Sequence, residues 1–156
     1  MGVNTYMGAE HDGTNLKFVT DRGVFVLAQQ EEFTLSEVGN NPGVVGWLIS
    51  DECEMGYSGC PEGPEEDSLA KQIEYVNKVT SFADGRFKQA NFGNGILRTF
   101  WAPTTMDDHV QLMDVASADK YTYTSPHVGE IVPDSPIGLR PPRSTRPPPT
   151  AGRSTR

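Results

Sequence analysis

The ten residues Gly43 to Glu52, GVVGWLISDE, constrain this chain more than any other stretch. A short apolar run, with Val44, Val45, Leu48 and Ile49, ends abruptly in two adjacent carboxylates. Apolar residues at both odd and even positions describe a strand buried on both faces, as in parallel sheets. Asp51 and Glu52 then fall at the strand's carboxyl end, where parallel α/β folds bind ligands and do chemistry. Strand stability does not account for the pair, because Asp is depleted in strands and like charges repel. The pair therefore marks a candidate site.

Around it the chain alternates strand-like and helix-like segments, the pattern of a parallel α/β fold. Gly2 to Met7 is short and β-prone, and Thr14 to Arg22 reads as a helix closed by Gly23. Val24 to Ala28 is an apolar strand, and Glu32 to Val38 is one or two helical turns stopped by Gly39-Asn-Asn-Pro-Gly43. Asp67 to Ala83 is the best helix, with Leu69, Ala70, Ile73, Val76, Val79 and Phe82 on one face and acids at its start. Arg86 to Phe92 predicts a strand. Thr105 opens another helix, with Asp108 as in a capping box and Val110, Met113, Val115 and Ala116 as its buried face. Asp119 to Thr124 predicts the fifth and last strand. No Gly-x-Gly-x-x-Gly follows the first complete strand and no P-loop lysine motif occurs, which removes the main support for a nucleotide-binding domain.

Charge is unevenly distributed along the 156 residues. All 21 acids lie at or before Asp134, against 8 basic residues in the same stretch. So acidic a body argues against nucleic acid and anionic membranes as partners. No apolar run approaches the roughly 20 residues that span a bilayer. Met1 to Tyr6 carries neither the basic nor the apolar segment of a signal peptide, so compartment is left open. Residues 1–132 are expected to form the domain. From Pro133 the character changes: residues 133–156 hold five arginines, a single acid, Asp134, and two copies of Arg-Ser-Thr-Arg, and are expected to be disordered. Two readings fit this tail, a basic polyproline-like arm or a linker remnant or out-of-frame translation; the abrupt change in composition favours the second. Cys53 and Cys60 flank a flexible loop, and both a disulfide and two free thiols fit them.

The stretch Asn41 to Glu52 resembles the fourth-strand region of (β/α)8-barrel glycoside hydrolases, which often carry a loop of the form NP-small-V-hydrophobic-GW, a strand and an acidic dipeptide ending in Glu. In the same order, Gly2–Met7 resembles the second barrel strand, Gly23–Gln29 the third, Arg86–Asn91 the fifth and Ala118–Tyr123 the sixth. The resemblance covers about residues 2 to 128. Related barrel domains occur in phage tail proteins, where they are thought to meet cell-surface glycans. It implies Glu52 as general acid/base. The family usually has Asn before that Glu; Asp51 stands here, and an ionised Asp accepts but cannot donate, and raises the pKa of its neighbour. A raised pKa suits a general acid.

On this reading Asp51, Asn91, Trp101 and Tyr123 are candidate carbohydrate-binding residues, the aromatics as stacking platforms. His11 follows the first strand and reaches toward the site mouth, or lies at the surface. Glu54 is expected to be a solvated loop acid. No metal or other cofactor is expected, since Asp51, Glu52 and Glu54 lack the spacing of a cation loop. A retaining glycosidase needs two carboxyls roughly 5–5.5 Å apart. In these barrels the nucleophile comes from the seventh strand, and the first, seventh and eighth strands are expected to be missing here. The expected fold is therefore a partial TIM (β/α)8 barrel of about five βα units, where a complete one takes roughly 250 residues. Alone it is expected to be inactive and either to oligomerise through open barrel edges or to fold poorly. The alternative is a non-catalytic carbohydrate-binding or phage minor tail module on the same scaffold.

Overall fold

Five apolar segments separated by polar, glycine-marked connections become five parallel strands. The computed structural model describes residues 2–9, 11, 15–93 and 106–119. The strands are β1 (Thr5–Ala9), β2 (Phe25–Gln29), β3 (Val44–Asp51), β4 (Phe87–Phe92) and β5 (Val115–Ala118). Between them lie α1 (Leu16–Thr20), α2 (Leu35–Val38), α3 (Glu65–Thr80) and α4 (Met106–Gln111), with a 3-10 turn at Cys53–Met55. The sheet order is β1-β2-β3-β4-β5, and every neighbouring pair is parallel. Parallel crossovers share one hand, so consecutive order places the helices on one face of the sheet and leaves the other concave. The result is an α/β curled half-barrel.

The core fills the space between the convex face and the helices. Val26, Ala28, Trp47, Ile49, Ala90 and Phe92 from the strands pack with Phe33, Val38, Val76 and Val79. Trp47 is fully buried and tilts against Phe82, with ring centroids 5.3 Å apart. Its indole N–H donates to Asp84 Oδ2 at 2.9 Å. The short helices are held by caps: Asn15 accepts from the Phe18 N–H, and Thr34 and Glu37 form a capping box.

Two expectations need correction. Among the described residues the fifth strand is Val115–Ala118, so Val115 and Ala116 belong to a strand rather than to a helix face, and the strand expected over Asp119–Thr124 lies, but for Asp119, outside the described residues. Asp114 sets this boundary. Its amide donates to Lys88 O at 3.0 Å, and its carboxylate accepts from the Lys88 N–H at 2.7 Å and Nζ at 2.9 Å. These bonds lay the chain along β4 immediately after α4. The second concerns α3, whose buried face is rotated: Gln72, Tyr75, Val76 and Val79 face inward, Ala70 is exposed and Ile73 is 39% exposed. Hydrogen bonds turn it. Gln72 Nε2 donates to Ser50 Oγ at 3.0 Å, and the Tyr75 hydroxyl donates to Glu31.

Candidate functional site

The strand carboxyl ends bring polar residues of β3, β4 and β5 together on the concave face. Asn91 Nδ2 donates to Asp51 Oδ1 at 2.9 Å, Ser117 Oγ donates to Asn91 Oδ1 at 2.8 Å, and Gln89 Nε2 donates to Ser117 Oγ at 2.7 Å. The register explains the meeting, because Asp51 pairs with Asn91 and Asn91 with Ser117. In parallel strands such directly paired residues lie on one face. Asp51 reaches this face through a register shift. Leu48 pairs with Gln89 and Ser50 with Ala90, leaving Ile49 as an extra residue of β3. Ile49 and Ser50 both turn to the helix side, where Ile49 joins the core and Ser50 meets Gln72. A bulge of this kind re-aims the side chains beyond it.

A groove of about 460 Å³ opens here, lined by Met7, Gly8, Gln29, Leu48, Asp51, Ser58, Asn91 and Asp119. Two of the four expected carbohydrate-binding residues, Asp51 and Asn91, thus stand together in it. Trp101 and Tyr123 lie outside the described residues, as does everything from residue 120 onward, the tail from residue 133 included. His11 is elsewhere: its ring stacks on Phe33 and its Nε2 lies 3.0 Å from Glu37 Oε1. The described residues contain no cluster of three or more His, Cys, Asp or Glu suited to a metal ion.

Glu52 follows β3 but is not part of the groove's lining. Its backbone is left-handed, with φ 50° and ψ 44°. Its N–H donates to Asn91 O at 2.8 Å. Its carboxylate lies against Gly93, where an added Cβ would collide with Met55 Sδ and stand 2.9 Å from Glu52 Oε1 and 3.2 Å from Glu54 Oε1. Burial raises the Glu52 pKa, and the negative charges of Asp51 and Asp119 add to the rise.

Glu54 is not the solvated loop acid that its position in the sequence suggests. It is 5% exposed, its carboxylate accepts the Gly93 N–H, and its Oε2 is buried without a hydrogen-bond partner. The 3-10 turn after Glu52 rolls it inward. Burial pushes its pKa up to about 7 against the pull of its backbone hydrogen bonds, and the charges of Glu52 and Asp51 push the same way.

Cys53 and Cys60 are joined by a disulfide. The loop it closes carries Ser58, whose Oγ accepts the Asp51 N–H at 2.8 Å. Sequence reasoning missed Ser58 and the burial of Glu54. Both are loop residues without periodicity, and only the proximity of the loop to a strand carboxyl end points to them. No protein-family model matches the chain, and neither a curated protein nor a solved structure shows significant similarity to it.

Proposed function

We propose that this chain is a glycoside hydrolase-like part of a (β/α)8 barrel that binds carbohydrate in the groove of Asp51 and Asn91, with Glu52 as general acid/base. The observation that carries this reading is the hydrogen-bonded row Asp51–Asn91–Ser117 along the carboxyl edge of three parallel strands. Carboxylates and amides in fixed array match the hydroxyls of a sugar, and this end of a parallel barrel is where catalytic residues gather. A raised pKa at Glu52 suits a residue that protonates a glycosidic oxygen. Glu54 does not meet a sugar directly, since its free oxygen is buried.

One observation favours a second reading, a non-catalytic carbohydrate-binding or phage tail module. Glu52 faces Gly93 rather than the groove. The two readings separate on a panel of oligosaccharides assayed by calorimetry for binding and by chromatography for cleavage. The hydrolase reading expects Asp51→Ala to weaken binding about tenfold or more, and expects a barrel completed with a seventh-strand carboxylate to cleave, with Glu52→Gln abolishing that cleavage while sparing affinity. Binding without cleavage in the completed barrel selects the module. Cleavage that survives Glu52→Gln refutes the acid/base assignment.

A further inference from the structure

We propose that Ser58 is a ligand-binding residue of the groove, donating its hydroxyl proton to a sugar oxygen beside Asp51, and that the Cys53–Cys60 disulfide holds it there. This rests on the carbohydrate reading above. Ser58 lines the groove next to Asp51 and Asn91. A hydroxyl has one donor and two acceptor sites. The Ser58 Oγ uses an acceptor site on the Asp51 N–H, and among the described residues nothing takes its proton.

The backbone says more. Ser58 has φ 52°, a left-handed conformation that side-chain-bearing residues rarely adopt. Two contacts keep it there: the disulfide around its loop and the Asp51 amide. Its neighbour Gly59 lies close against Glu31 and Tyr75, with no room for a side chain. Satisfying the Asp51 amide does not by itself account for this arrangement. Asp51 is exposed, and water serves an exposed amide nearly as well.

The chemistry of the ligand follows from the two side chains together. An ionised Asp only accepts, whereas Ser58 adds a donor beside it. A sugar hydroxyl that donates to Asp51 and accepts from Ser58 uses both of its capacities at once. A cation would use only the first, and a neutral polyol fits both.

The test uses Ser58→Ala and Ser58→Gly in the whole chain, titrated calorimetrically with cellohexaose, xylohexaose and chitohexaose. Both substitutions delete the hydroxyl, but only glycine relieves the left-handed backbone, so the two differ in stability. The expected result is a common loss of affinity of about three- to tenfold for any sugar that binds the unsubstituted protein. Affinity equal to that of the unsubstituted protein in both variants overturns the role of Ser58 and leaves the carbohydrate reading standing. Absence of binding by the unsubstituted protein to all three probes overturns both. The disulfide is tested in the same titration: Cys53→Ala/Cys60→Ala is expected to match Ser58→Ala in affinity and to speed hydrogen exchange at the Asp51 amide. Unchanged affinity and exchange there refute the positioning role of the bridge.

Discussion

Glu54 shows how far one residue's environment departs from its place in the sequence. Three acids in four positions, Asp51, Glu52 and Glu54, look equivalent when read as letters. The fold makes one exposed, one half-buried and one buried. Only Glu54 has an ionisation that burial moves as far as about 7. The consequence for stability has a definite sign. Between its ordinary value of 4.5 and about 7, the folded chain holds a proton at Glu54 that the unfolded chain has released. Stability is therefore greatest below that window, falls as pH rises through it and levels off above it. The full difference is on the order of 3 kcal/mol. Urea denaturation at pH 5 and pH 8 should record this fall, and Glu54→Gln, which keeps an acceptor for the Gly93 N–H, should remove most of it. An equal pH dependence in the variant would place its origin in other groups. Asp51 was legible in the sequence because a strand ended there. Glu54 and Ser58 were not, since a 3-10 turn and a disulfide loop leave no periodic trace.

Among the elements, the amino ends of β3 and β4 are fastened as firmly as their carboxyl ends are open. Arg86, just before β4, donates to Val44 O at 2.8 Å, Gly39 O at 3.0 Å, Asn41 O at 3.2 Å and Asp84 Oδ2 at 2.8 Å. The side chains of Arg86 and Asp84 are only 10% and 12% exposed. Burial pushes the Asp84 pKa up, but the hydrogen bonds from Arg86 and Trp47 outweigh it and hold the group below its ordinary value. Removing one partner of such a pair leaves the other charged and poorly solvated. Arg86→Met is expected to cost about 3 kcal/mol in urea denaturation without altering affinity in the groove at the other end of the strands. A loss well under 1 kcal/mol would mean that water replaces the guanidinium. Strands and helices of clear period were legible here. β3 and the helix over Asp67 to Ala83 appear nearly where expected. The four residues of β5 were not legible, because Val115 and Ala116 continue a helical spacing as well as they begin a strand. Their pairing with Gln89 and Ala90 decides the matter, and no local pattern records it.

At the scale of the whole molecule, the alternation of strands and helices announced a parallel α/β fold, and the described strands form one parallel sheet in sequence order. What the pattern did not announce is how the sheet keeps a polar groove and an apolar core in step. β3 does this while accommodating an extra residue. Leu48, Ser50 and Asp51 already pair with Gln89, Ala90 and Asn91, three consecutive positions, and Ile49 stands outside that count. A chain from which Ile49 is deleted, rather than substituted, would match the two strands one to one. Asp51 would still face Asn91, at the cost of the packing that Ile49 gives the core, about 2–4 kcal/mol. Circular dichroism and oligosaccharide titration of that deletion are expected to show a weaker fold with its affinity retained, and lost affinity in a folded sample would refute the pairing. Length at this point is therefore expected to be spare: shortening the strand by one residue would leave the polar row at its carboxyl end in place.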